Sequence, residues 1–366
     1  MNDPVVAGSR VAALRMFLGL TQTDLARIVG KSQGTVAKYE ATARNTVHSL
    51  SGSHTLTSLT GALGCGPDYL IGEEIAVPDK AQVSFRKRRS ATKGETDRAR
   101  AALALSAGLV LPAIQRTLRL PPPDVPDLSD ETPEDAAALL RAQWNLGIGP
   151  IGHLIRLLEA KGVRVSFLEG RTKSLDALCL WQEGVPHIAL STTKQDGARA
   201  RFDAAHELGH LVLHQGFDFG DEDNAPLEAE ADRFAAAFLV PAEAFVHESP
   251  IYFSVDAFAN LRSRWGMSMQ ALVRRSRDVG RINQTQYITA YKRMSALGWR
   301  SGPEPGAPQR ENSYIHDKFF EVIMDRQKPT DLLITRTSLP PAVVRELVPQ
   351  MVNLTKHLSF ADLFSE

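Results

Sequence analysis

Cysteine is nearly absent. Cys65 and Cys179 are the only two in 366 residues, far apart and in unlike settings, which excludes a disulfide framework and the zinc modules built from CxxC pairs. A reducing cytoplasm is the expected location. Net charge is absent as well: 42 Lys and Arg balance 42 Asp and Glu. No overall basic field draws the chain to nucleic acid, so any DNA contact has to come from a local patch. Long apolar runs are also missing. The longest without a charge, Ala101 to Gln115, contains Pro112 and falls short of the about 20 residues that span a bilayer. The opening Met-Asn-Asp-Pro-Val-Val shows no basic stretch leading into an apolar one, so no secretory leader is expected. With 43% hydrophobic and 23% charged residues, the chain is too apolar to be disordered and large enough for two or three domains.

What is present is apolar periodicity. Leu14, Phe17 and Leu18, then Leu25, Ile28 and Val29, recur at three- and four-residue spacing, so residues 9–40 read as short helices joined by tight turns. Thr21, with Asp24 three residues on, starts one helix, and Gly30 stops it before Ser32 caps the next. From Phe85 to Arg100, Arg86, Lys87, Arg88, Arg89, Lys93, Arg98 and Arg100 stand against only Glu95 and Asp97. This one basic stripe reads as a solvated linker face, with phosphate contact as the alternative. An apolar helix to Leu120 follows, and the proline-rich 121–126 cannot continue it, so a domain boundary is expected there. Thr132 and Pro133 then start a helix expected to run to about Leu146. Another, from about Ile151 to Lys161, feeds short strands at 163–167, 175–181 and 187–190. Helices are expected over 196–215 and 227–240. Residues 254–297 and 314–348 are again helical, split by a Pro- and Gly-rich stretch at 301–309. No repeat of fixed period is found.

The sharpest local feature is His206-Glu207-Leu208-Gly209-His210, an HExxH motif within apolar helical sequence. Positions i and i+4 share a helix face, so both imidazoles can reach one cation while Glu207 lies beside it to deprotonate water. The plain alternative is a helix with two polar His on a solvent face. A third ligand is required, and the following helix carries Glu228, Glu230 and Asp232 in an otherwise Ala- and Phe-rich run. Acids there are costly to bury unless they meet a cation or a donor. Glu228 and Asp232 share a face: the first can ligate the metal, and the second can hold a ligand His by its other ring nitrogen. Glu230 is expected to point to solvent. His214 lies about 12 Å along the axis from His206, too far to share an ion with bonds near 2 Å, and reads as structural. His187 and His247 are left unassigned.

Residues 201–214, then Glu228-x-x-Ala231-x-x-Phe234-Ala235 and Leu239-Val240-Pro241, resemble the ImmA/IrrE family of metallopeptidases over roughly residues 130–250. The resemblance implies a zincin-like core, His206, His210 and Glu228 as metal ligands, Glu207 as general base, and an enzyme that cleaves a repressor-type protein and so releases transcription. Asp232 departs from the smaller or amide residues common there and leans toward the Glu-x-x-x-Asp arrangement of other zinc peptidases. Residues 20–40, with Leu20-Thr21-Gln22-Thr23-Asp24-Leu25-Ala26 and Val36-Ala37-Lys38-Tyr39-Glu40, resemble the helix-turn-helix of the XRE (phage repressor/Cro-like) family. That resemblance implies that the helix starting near Ser32 enters the major groove of operator DNA as part of a homodimer, with Gln33, Thr35 and Lys38 toward the DNA and Gln22 bracing a phosphate. A helical module that only dimerises is the alternative. The 41–57 stretch is longer than the usual link in that family, although Ala62-Leu63-Gly64 and Pro67-Asp68-Tyr69-Leu70 restore the pattern.

The expected fold is mainly α with an α+β zincin-like core. Residues 1–75 form an all-α helix-turn-helix domain, 76–128 a basic helical linker, 129–250 a zinc peptidase domain with a small sheet and the HExxH helix, and 251–366 a helical region for sensing or interaction. The expected function is a DNA-binding transcriptional regulator fused to a zinc-dependent endopeptidase. Its rival is a regulator or antitoxin whose zincin-like domain binds a partner without proteolysis. Zinc is the expected metal, though two His and a carboxylate also suit Mn or Fe. The expected partners are operator DNA and a repressor-type protein, with no membrane. One strand of 175–190 is expected to offer its edge to an extended substrate.

Overall fold

The three strands expected between residues 163 and 190 all form, and a fourth joins them from much earlier in the chain. The computed structural model describes residues 6–41, 53–87, 91–168, 174–193, 196–219, 224–299, 304, 308–325 and 327–349. Its strands are β1 (Ser84–Lys87), β2 (Arg164–Leu168), β3 (Leu175–Gln182) and β4 (Val185–Ser191), in the order β1-β3-β4-β2. β3 and β4 are a hairpin turning at Glu183-Gly184. Both turn residues have positive φ, 51° and 74°, as a two-residue turn matched to strand twist requires. β2 runs parallel to β4, and β1 runs antiparallel to β3 with Ser84 opposite Cys179.

β1 changes two expectations. Residues 76–128 are not simply a basic helical linker: they supply an edge strand and then α6 (Lys93–Leu105), whose Thr92–Glu95 capping box starts a largely buried helix. The helix widens into a π turn at Ser106–Val110 before α7 (Leu111–Gln115). Pro112 accounts for this, because it has no N–H for the Gly108 carbonyl and its ring crowds that group. The edge of β3 from Leu175 to Cys179 is also covered by β1, so only the part beyond Cys179 is left for an extended peptide. Arg88 and Arg89 of the basic stripe lie outside the described residues, as does most of the long 41–57 link.

The sheet is buried on both faces, which fits strands that read as nearly continuous apolar runs. Leu168, Leu175, Leu178, Leu180 and Ala189 belong to one core. The N-terminal helices α1 (Gly8–Phe17), α2 (Gln22–Ile28), α3 (Gln33–Ala41), α4 (Ser53–Leu63) and α5 (Pro67–Leu70) share it with α6 and α7. So do the last three helices, α16 (Tyr314–Met324), α17 (Pro329–Thr337) and α18 (Pro341–Leu347). Arg98 of α6 fastens this layer: its guanidinium lies 4.4 Å from the Phe17 ring centroid and donates to the Phe17 carbonyl and to Glu346.

Val165, Phe167, Ala177, Cys179, Ile188 and Leu190 face the other core. It is completed by α8 (Pro133–Gln143), α9 (Leu154–Ala160), α10 (Gly197–Leu213), α11 (Ala225–Leu239), α12 (Ala242–Glu248), α13 (Val255–Trp265), α14 (Met269–Asp278) and α15 (Gln284–Ala296). α8 ends at Gln143 rather than near Leu146, since Asn145 turns the chain with φ 55°. The described helices of the region beyond residue 251 are thus divided between the two cores. Among the described residues, no helix is long and apolar enough to cross a membrane.

α9 is joined to α16 through a buried carboxylate. Glu159 accepts from Ser313 Oγ at 2.5 Å and from the Ile315 amide at 3.1 Å, and burial raises its carboxyl from 4.5 to about 7. A raised folded-state value means that the unfolded chain releases this proton first, so stability is full below about pH 4.5 and falls as pH rises toward 7. Urea melts of wild type should show that loss, at most about 3 kcal/mol. Glu159→Gln should flatten it, and an unchanged pH profile in the variant would assign the loss elsewhere.

Candidate metal centre

α10 brings the HExxH motif under the sheet. Asp196 caps the helix by accepting from the Ala198 and Arg199 amides, and α10 packs against β3, β4 and α11. Gly209 sets the closeness of the second helix: a Cβ there would stand 3.0 Å from Phe234 Cδ1 and 3.2 Å from Ala231 Cα. Glycine lets the two backbones approach this far without displacing Phe234 or Ala231. The acids of α11 thereby come level with the imidazoles of α10.

His206, His210 and Glu228 converge, with one ligand atom from each inside a 4.8 Å cluster. The two Nε2 atoms are 3.1 Å apart, and the Glu228 carboxylate spans them, Oε2 at 3.4 Å from His206 and Oε1 at 3.3 Å from His210. Two nitrogens bound tetrahedrally to zinc at their usual bond lengths would be about 3.3 Å apart. The donor set and its spacing therefore fit a divalent cation. Burial lowers His210 to about 4, so its ring is neutral near pH 7, as a metal ligand must be. Burial alone would raise Glu228, but hydrogen bonds from the two imidazoles hold it well below the usual carboxylate range.

The atoms around the cluster are organised too. His206 Nδ1 lies 3.0 Å from Asp232 Oδ1, the placement expected of that acid, and Asp232 also has Arg274 of α14 at 3.6 Å. Glu207 is fully buried, and the Cys179 thiol of β3 stands near it. Burial, followed by the charge of Glu207, pushes that thiol well above its ordinary range. Glu230 differs from expectation, whereas His214 stays outside the ligand cluster as expected. Glu230, half-exposed, does not simply face solvent: its Oε2 is 3.0 Å from His214 Nε2, while His214 Nδ1 is 2.9 Å from His210 Nδ1. The i+4 spacing of His214 from His210 was the available signal for this pairing. Beyond the end of β1, a groove opens between Leu180 and Trp181 on one side and Phe217 and Phe219 on the other, with His210 lining it. Phe219 meets the His210 ring edge-on at 5.6 Å between centroids, and its amide donates to the Ala81 carbonyl at 2.8 Å.

The residues singled out for DNA are gathered at α2 and α3, far from this cluster in sequence. Ser32, Gln33 and Lys38 are exposed and Thr35 and Gln22 half-buried. Ser32 Oγ accepts from the Thr35 amide at 3.2 Å. Gln22 accepts from Gln33 Nε2 at 2.7 Å and donates to Glu40 at 2.8 Å, so it braces α3.

Gly209→Ala tests the helix approach. The added methyl should cost about 1–3 kcal/mol of stability through overpacking and should weaken divalent-metal uptake, because Glu228 moves off with α11. Unaltered melting and uptake would show that the helices have slack at this point.

Residues 158–277, running from α9 into α14, match the model of the Peptidase_M78 family, described as the IrrE N-terminal-like domain. No curated protein matches the chain. The family match falls on β2, β3 and β4, the HExxH helix and the acidic helix together, and it supports an ImmA/IrrE-type, metallopeptidase-like domain in this part of the chain.

Proposed function

We propose that the chain is a DNA-binding transcriptional regulator fused to a zinc-dependent endopeptidase whose substrate is a repressor-type protein. The observation that carries the reading is the convergence of His206, His210 and Glu228 with Glu207 buried beside them. His206, His210 and Glu228 hold the cation, with zinc favoured and manganese or iron compatible with the same donors. Bound there, the metal supplies Lewis acidity toward a peptide carbonyl. Glu207 takes the proton of the attacking water and returns it to the leaving amine. Asp232 fixes the His206 ring and raises its basicity. The groove past β1 accepts an extended segment along Leu180 to Gln182.

In this reading the helices at 8–70 bind operator DNA as a homodimer, with α3 in the major groove and Gln33, Thr35 and Lys38 toward bases or phosphates. Gln22 and Ser32 stabilise that helix. A second reading, a regulator or antitoxin whose domain binds a partner without cutting it, is favoured by one observation: β1 occupies most of the β3 edge that a substrate would use.

Elemental analysis of purified protein should find one divalent metal per chain, and His210→Ala should lose most of it; full occupancy in the variant would sink the ligand assignment. Asp232→Asn should reduce metal affinity roughly 10- to 100-fold with the coordination number unchanged. Glu207→Gln should keep metal and DNA binding and abolish cleavage of a repressor-type protein encoded nearby. Regulation that survives in that variant would support the second reading.

Selection from random duplexes should enrich one operator, and Gln33→Ala should relax base preference there, by about 1–3 kcal/mol at the contacted position. No enrichment at all would argue for a module that only dimerises.

A further inference from the structure

We infer that His214 and Glu230 are positioning residues of the metal centre, forming a relay that holds the ring of His210 from the side opposite the cation. The inference rests on the reading that His206, His210 and Glu228 bind a divalent metal, and it goes beyond that reading in assigning two residues that no ligand set requires.

With a cation on His210 Nε2, the geometry fixes the direction of every hydrogen in the relay. His210 turns Nε2 toward Glu228 and His206 and Nδ1 toward His214. When Nε2 gives its lone pair to a cation, the ring proton of neutral His210 has to sit on Nδ1. The 2.9 Å contact between the two Nδ1 atoms has room for one hydrogen, so His210 donates and His214 accepts. The proton of His214 is then on Nε2, where Glu230 Oε2 accepts it at 3.0 Å. His206 has a one-step version of the same arrangement in Asp232.

Local structure explains why His214 can reach back. It is the C-cap residue of α10, with φ −125° and ψ 37°, and its amide still donates to the His210 carbonyl. Its ring is therefore kept over the last turn, 8% exposed. Glu230 comes from α11, across the close approach at Gly209. A space-filling role for His214 would make no use of its acceptor atom. The relay does, since a partner on the far nitrogen orients a ligand ring and strengthens its donation to the metal.

The experiment measures Zn2+ affinity of the full chain by competition with a chromophoric chelator, with thermal melts of the metal-free proteins as the folding control. His214→Leu keeps bulk and removes the acceptor, and it should bind zinc roughly 10- to 100-fold more weakly. His214→Asn places an amide oxygen near the Nδ1 position and should recover most of the affinity. Equal affinities for wild type, His214→Leu and His214→Asn would overturn the proposal while leaving the metal reading intact. A wild-type chain that takes up no zinc would overturn the metal reading and this one with it. Should the Leu variant not fold, nitrogen NMR of histidine-labelled, zinc-loaded wild type decides. The proton of His214 is expected on Nε2 and that of His210 on Nδ1; a His214 protonated on Nδ1 alone would refute the relay.

Discussion

The chemistry at the centre of this protein depends on how closely two helices approach. Three imidazoles of α10 and its C-cap meet three carboxylates on α11: His206 with Asp232, His206 and His210 with Glu228, His214 with Glu230. Every one of those contacts spans 3.0 to 3.4 Å, and Gly209 lies between the helix backbones. Burying polar and ionisable groups at this density costs free energy unless each finds a partner. The facing acids provide partners on the outward nitrogens, and the convergent Nε2 atoms are left to compete for Glu228. A cation placed among them relieves that competition and stabilises the folded chain by linkage.

The HExxH cluster was legible in the sequence because its logic is local. Four-residue spacing puts His206 and His210 on one face whatever surrounds them, and the same spacing pairs Glu228 with Asp232. The Asp232 contact follows from that periodicity plus one assumption, that the two helices face each other. Spacing places His214 too far from the ion to bind it, and says nothing about its contact with the ring of His210, which the structure shows. Glu230 looked solvent-facing because it is out of phase with Glu228 and Asp232 on its own helix, yet the C-cap turn of α10 brings His214 to it.

β1 was not legible, for a different reason. Its four residues carry two basic side chains and no long alternation, and its partner strand lies about ninety positions later, with Ser84 opposite Cys179. A strand of that kind is made by the sheet it joins rather than by its own pattern. The division of the C-terminal helices between two cores is non-local in the same sense. Periodicity shows that α12 to α18 are amphipathic or apolar, but says nothing about which face of the sheet they cover.

The shared sheet also binds the two halves of the reading into one physical unit. Leu178 belongs to the core shared with the N-terminal helices, while its neighbour Cys179 faces the opposite core, on the side of Glu207. A fragment limited to 129–250 would leave Leu175, Leu178, Leu180 and Ala189 without their cover, each leucine forfeiting about 1.5–3 kcal/mol of burial at the upper limit. The same fragment would lose β1, and with it the strand that covers β3 beside the cluster. α6 packs along α1, whereas β1 packs on β3 and on α10. The strand that limits access to the β3 edge is therefore placed by the sheet it joins and by the helix that carries the HExxH motif.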